Sequence, residues 1–145
     1  MAFTVRILTW QEAMPLVRPV RERVFVEEQG VPLEMEWDEW DEPSEHAVAF
    51  DPRGRVIGTA RLLPGGAIGR MAVLKHWRRQ RVGTRLLEAM LDRARQRSLV
   101  RVMLHAQTHA AGFYRRFGFS EQGEEFFEAG IPHVEMALAL FPAPS

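Results

Sequence analysis

The chain has 145 residues, 46% of them hydrophobic and 26% charged, with 19 basic residues, 19 acidic ones and no cysteine. That is apolar material for one core and one domain over 1–145, and it excludes disulfides, thiolate metal sites and a cysteine nucleophile. No apolar run reaches the roughly 18 residues of a membrane helix, and Arg6 breaks the apolar start, so the chain reads as cytoplasmic, without a signal peptide or membrane contact.

Phe3 to Leu8 alternates as a short strand. Thr9 and Glu12 have the spacing of a capping box and open a helix. Pro15 and Pro19 are expected to split it into two pieces, the second ending at Gly30. Residues 31–45, with Pro32 and Pro43, read as a long loop. Three strands follow as a meander, over His46 to Phe50, Arg55 to Leu63 and Ala67 to Leu74. Val82 to Arg97 is the clearest helix, with Val82, Leu86, Leu87, Met90, Leu91 and Ala94 on one stripe. A strand over Leu99 to His105, a short helix over His109 to Arg116 and two strands between Phe119 and Leu140, turning at Gly130-Ile131-Pro132, complete the chain. The order β-α-α-β-β-β-α-β-α-β-β predicts an α/β (α+β) fold, a mixed sheet with helices on its faces.

The balanced net charge hides an asymmetry. Nine acids and no Lys or Arg lie between Glu27 and Glu45, whereas Arg61 to Arg101 holds eleven basic residues against Glu88 and Asp92. This suggests an anion site and a separate cation-attracting surface; alternatively, the fold interleaves the charges. Lys75, Arg78, Arg79, Arg81 and Arg85 crowd the turn and the first residues of the helix beginning near Val82. Exposed cations there oppose the helix dipole by roughly 0.3–1 kcal/mol each. A pyrophosphate on the free N–H groups of Arg81, Val82, Gly83 and Thr84 would account for them. The same residues also read as a solvated Arg-rich turn. The turn has neither a P-loop nor a dinucleotide fingerprint. Neutral overall charge and the lack of other basic stripes argue against nucleic acid as a partner.

Arg78-Arg79-Gln80-Arg81-Val82-Gly83, after Met71-Ala72-Val73, resembles motif A of the GNAT N-acetyltransferase superfamily, R/Q-x-x-G-x-G/A. Gln107 through Phe119, ending in Phe-Tyr-Arg-Arg-Phe-Gly-Phe, is similar to its motif B. Arg21, Val24-Phe25-Val26, Glu28-Gln29, His46, Gly130-Ile131-Pro132-His133 and Met136 resemble the ElaA-like branch. The matches span nearly the whole chain. They imply a GNAT fold, a mostly antiparallel central sheet of six to seven strands with two central parallel strands splayed apart. They imply acetyl-CoA as co-substrate, no metal, and direct transfer to an amine without a covalent enzyme intermediate.

Carried over, the resemblance puts the pantetheine on Met71, Ala72 and Val73, the pyrophosphate on Arg78 through Thr84, and Gln107 on the cofactor arm. A backbone N–H of residues 71–73 would then meet the thioester oxygen. Arg81 stands where the motif has its first glycine; at a helix start it is expected in ordinary dihedrals, with weaker backbone cradling at that point. Tyr114, the one tyrosine, takes the general-acid position, or else is a core ring. The strand 101–105 has no carboxylate to serve as base. His133 and His46 are the better candidates, each otherwise a structural histidine, with His133 assigned to catalysis and His46 to the acceptor side. His105 fits an ordinary strand residue. Glu28 would hold a cationic amine, or else is a solvated helix-end carboxylate. The acidic loop favours a cationic small-molecule amine or a lysine side chain, and Trp37 and Trp40 either pin that loop or stack on a cation. Dimers are common in this fold, and a homodimer is compatible. The alternative function is a non-catalytic acyl-CoA-binding sensor.

Overall fold

The computed structural model describes residues 2–140. Met1 and residues 141–145, the ends of the expected 1–145 domain, lie outside them. Seven strands form one sheet: β1 (Thr4–Leu8), β2 (Glu45–Phe50), β3 (Val56–Leu62), β4 (Ala67–Val73), β5 (Arg101–Gln107), β6 (Ser120–Glu128) and β7 (Ile131–Ala139). They are ordered β1-β2-β3-β4-β5-β7-β6. The helices are α1 (Trp10–Arg21), α2 (Leu33–Glu36), α3 (Val82–Gln96) and α4 (Ala111–Arg115). Every pairing is antiparallel except β4 with β5, which run parallel through two pairs only, Ala67↔Met103 and Ile68↔Leu104, and then separate.

The separation has a local cause. Against β3 the register of β4 slips between Thr59 and Arg61, so β4 carries one extra residue. Arg70 sits in this bulge at φ 48°. A bulge kinks its strand and ends regular pairing, which here swings β4 away from β5. On one face of the sheet, α3 buries Val82, Leu86, Leu87, Met90, Leu91 and Ala94, the stripe legible in the sequence. Gly58 lets this helix lie close: a Cβ there would stand 3.1 Å from Val82 Cγ1, Leu86 Cδ1 and the Ala72 carbonyl oxygen. The start of α3 is thereby held beside the end of β4.

Thr9 caps α1 with the reciprocal Glu12 contact. The expected break at Pro15 and Pro19 does not occur; both lie inside one helix. Burial of Ala13, Val17, Val20 and Arg21 holds the helix together despite the two missing N–H groups. The backbone then widens into a π-helical segment, Glu22–Glu28, with Gln29 N–H donating to the Val24 carbonyl at 3.1 Å. Proline and π-spacing are two recognised sources of helix irregularity, and π-segments concentrate at functional sites. The last hairpin turns at Ala129-Gly130, both with positive φ, so Ile131 and Pro132 belong to β7, not to the turn.

Candidate acyl-CoA and acceptor site

Where β4 and β5 part, a cavity of about 940 Å³ opens. Its floor is β4; one bank is the π-helical segment with Val24, Phe25 and Glu28, and the other is β5 with Met103, His105 and Gln107, joined by Tyr114 and His133. On the β3 side, Ala72 and Val73 are paired with Thr59 and Gly58. On the β5 side the ladder has already ended at Ile68, so Met71, Ala72 and Val73 offer an unpaired edge to the cavity.

At one end stands the start of α3. No side chain caps it, so the N–H groups of its first turn remain available. Arg81 precedes it at φ 67°, and Arg79 is also left-handed, at φ 65°. The expectation of ordinary dihedrals at Arg81 is therefore overturned: the reversal from β4 into α3 demands the conformation that the motif's glycine adopts freely. Of the residues expected on a pyrophosphate, Arg78 and Gly83 line the cavity. Val82 is buried in the core, and Gln80 Nε2 donates to the His76 carbonyl at 3.1 Å. Arg79, Gln80, Arg81 and Thr84 lie outside the lining, around the helix start. Arg78 closes the turn, its Nε donating to the Val73 carbonyl at 2.9 Å, and reaches Glu28 at 2.9 Å. Glu28 is thus engaged by an arginine.

The two banks are latched to each other. Gln107 Nε2, at the end of β5, donates to Gln29 Oε1 at 2.9 Å. Further along, Tyr114 O–H points to Met71 Sδ at 3.9 Å, with its ring edge-on to Phe113 and Phe119. Burial pushes its phenol up to about 12. His133 lies opposite Gln107 on β7 and is 7% exposed. Its Nδ1 donates to the Ile131 carbonyl at 2.7 Å, which leaves the lone pair of the neutral ring on Nε2. That nitrogen is 3.7 Å from Glu128 Oε2, and Glu128 Oε1 is 3.0 Å from His105 Nδ1.

His46 is not in this site. It is 1% exposed, stacks on Trp10, and donates through Nε2 to the Asp41 carbonyl at 2.8 Å. Burial holds its pKa below the usual histidine value. Nor is the acidic loop an open cation trap. Arg21, 1% exposed, reaches Glu36 and Asp41, each at 2.8 Å, and stacks on Trp37 at 4.4 Å. Arg61 binds Asp38 at 2.7 Å and Asp41 at 3.0 Å, and Arg70 binds Asp38 at 3.1 Å. The fold interleaves these charges. Burial pushes the Glu36 carboxyl up, and Arg21 only partly offsets it. Burial also pushes Asp41 up, but the hydrogen bonds and charges of Arg21 and Arg61 outweigh it and hold Asp41 low. Trp37 stacks on a cation of its own chain.

Arg61, Arg70, Asp38, His105 and Glu128 all line the cavity; His105 reads from the sequence as an ordinary strand residue, and the other four were not singled out. A signal existed for two of them. His105 shares its strand face with Gln107, two residues on, and Glu128 lies opposite Ile131 across the Ala129-Gly130 turn, two residues from His133. Arg61, Arg70 and Asp38 meet only through the fold.

Known proteins share this arrangement. A family model for the acetyltransferase (GNAT) domain matches residues 12–140. Protein ElaA of Escherichia coli (strain K12) is 30% identical over 128 residues, 83% of each chain. The uncharacterized N-acetyltransferase YjcF of Bacillus subtilis (strain 168) is 42% identical over 120 residues, 81% of this chain and 86% of its own. The crystal structure of an acyl-CoA N-acyltransferase from Pseudomonas aeruginosa superposes with a TM-score of 0.84 at 29% identity, covering 94% of this chain and 99% of that one. With the splayed β4–β5 pair, the uncapped α3 and the cavity between them, these matches show that the chain belongs to the GNAT acetyltransferase family.

Proposed function

We propose that the protein is an N-acetyltransferase that moves the acetyl group of acetyl-CoA to an amine by direct attack. The observation that carries this reading is the open edge of Met71, Ala72 and Val73, which runs from the start of α3 to the Tyr114 hydroxyl. The residues present fit the co-substrate. The first-turn N–H groups of α3, with Gly83 and nearby Arg78, Arg79 and Arg81, suit a pyrophosphate. The β4 edge suits an extended amide-bearing arm. Gln107 can exchange its bond with Gln29 for one to that arm. Bound there, acetyl-CoA supplies an activated acyl thioester.

The chain's own groups do the rest. His133 Nε2 takes the proton that the amine must lose. A β4 N–H stabilises the charge developing on the carbonyl oxygen. Tyr114, protonated throughout the neutral range, donates to the departing thiolate. The test is free-thiol release from acetyl-CoA with a panel of amines, alongside calorimetric titration with coenzyme A. Turnover that His133→Gln abolishes, with coenzyme A binding retained, supports this function. Failure to bind coenzyme A sinks it.

A further inference from the structure

On that reading, the thioester lies at Tyr114 and Met71, and whatever lies further down β4, away from α3, faces the acceptor. That stretch is Ala67, Ile68 and Gly69, flanked on β3 by Arg61. We infer that the acceptor carries a carboxylate beside its amine, as a free amino acid does, and that Arg61 and Arg70 bind the carboxylate.

Both arginines are structurally engaged, yet neither is fully used. Arg61, 6% exposed, meets Asp38 and Asp41 through Nη1 alone. Its Nε is buried with no partner among the described residues, and none of its hydrogen bonds uses Nη2. Nε and Nη2 form the edge of a guanidinium that grips a carboxylate with two parallel bonds. Leaving a buried donor of a charged group unpaired is unfavourable, so this edge calls for an anionic partner. Arg70 places Nε on the Glu36 carbonyl at 3.1 Å, and Nη2 on the Met35 carbonyl at 3.4 Å and on Asp38 at 3.1 Å. Its Nη1 makes no hydrogen bond among the described residues. Arg70 is also held in the bulge at φ 48°, where a glycine would be unstrained.

The opposite bank has the complementary character. Arg61 lies opposite Gly69. Gly69 and His105 each stand one residue beyond the last β4–β5 pair, and His105 lies opposite Glu135. Arg61 and His105 are thus two strands apart across the opening between β4 and β5, more than the roughly 10 Å of two regular strand spacings. Glu128 stands between His105 and His133. A small molecule can span this gap with its carboxylate on the arginines and its amine toward His133 and Glu128, its charged contacts each about 2.8 Å long. Asp38 and Glu36 on the arginine side disfavour a phosphate dianion. A simple polyamine would leave the Arg61 edge unanswered.

The experiment pairs each amino acid with its decarboxylated amine: L-lysine with cadaverine, L-histidine with histamine, L-phenylalanine with phenethylamine, and L-methionine with 3-methylthiopropylamine. Each pair is assayed for thiol release from acetyl-CoA and, separately, for binding to protein saturated with coenzyme A. At least one amino acid is expected to exceed its amine by about 10- to 100-fold in kcat/KM or affinity. Arg70→Gln and Arg61→Lys are expected to shrink that ratio, with folding checked by circular dichroism. Equal or better performance of the amine in every pair overturns the inference. Because the binding arm is independent of turnover, a protein that binds coenzyme A but acetylates nothing still decides it. Failure to bind coenzyme A at all instead strikes the proposed function.

Discussion

Tyr114→Phe is the sharpest test of the chemistry, because the structure separates its catalytic effect from its effect on folding. The hydroxyl's one hydrogen-bond partner among the described residues is the Met71 thioether at 3.9 Å, a weak acceptor at long range, so its removal should change stability by less than about 1 kcal/mol. The ring contacts with Phe113 and Phe119 survive in phenylalanine. Catalysis is another matter. A phenol near 12 facing a thiol with a reference pKa of about 8.5 is a reluctant donor. Complete transfer at that mismatch of roughly 3.5 units would be uphill by about 5 kcal/mol. The same apolar surroundings raise the thiol, which narrows the gap, so Tyr114 is expected to act at the low end of general-acid catalysis, about 100-fold. The variant should therefore unfold at nearly the parent temperature, bind coenzyme A unchanged and lose about 100-fold in thiol release. Because the phenol stays protonated, no limb of the parent's pH–rate profile below about pH 10 should belong to it. A variant within threefold of the parent rate would refute the assignment.

Arg21→Met leaves Glu36 and Asp41 buried without their 2.8 Å partner and should lower unfolding free energy by about 3–5 kcal/mol in urea; a loss under 1 kcal/mol would show that the cluster does not hold the loop. Arg81→Gly relieves a left-handed residue at φ 67°, which should add about 1 kcal/mol, or about 3 °C in Tm. It should also weaken coenzyme A binding at low salt and flatten its salt dependence; unchanged affinity and salt dependence would place Arg81 away from the phosphates. His46 is held below its ordinary value by burial, so just below pH 6.5 the unfolded chain binds more protons than the native one. Its contribution is complete above pH 6.5 and declines as acid drives the pH down through its native value. The urea midpoint should accordingly be lower at pH 5.5 than at pH 7.5, with a smaller difference in His46→Gln.

The sequence disclosed what depends on short range and missed what depends on assembly. The α3 stripe from Val82 to Ala94, the capping box at Thr9 and the order of elements along the chain were all legible, because period and cap chemistry act within a few residues. The turn before α3 and its first residues read as an anion site from the sequence because five cations gathered there oppose the helix dipole, and that reading is part of the proposal. The glycine position at Arg81 was misjudged, because a strained dihedral leaves no mark in a residue name. The acidic loop misled for a related reason. Glu36, Asp38 and Asp41 are followed at distances of twenty residues or more by Arg61 and Arg70, and preceded by Arg21, which looks like part of an ordinary helix. Only the folded chain shows that these six charges neutralise one another around Trp37. Once they do, the loop no longer draws cations by bulk charge, and what remains for an acceptor is the local pattern of unused donors. That pattern consists of Nε and Nη2 of Arg61 and Nη1 of Arg70 on one side of the cavity, with Nε2 of His133 on the other. On the proposed reading, acceptor choice thus rests on a few unsatisfied hydrogen-bonding groups rather than on the net charge of any segment.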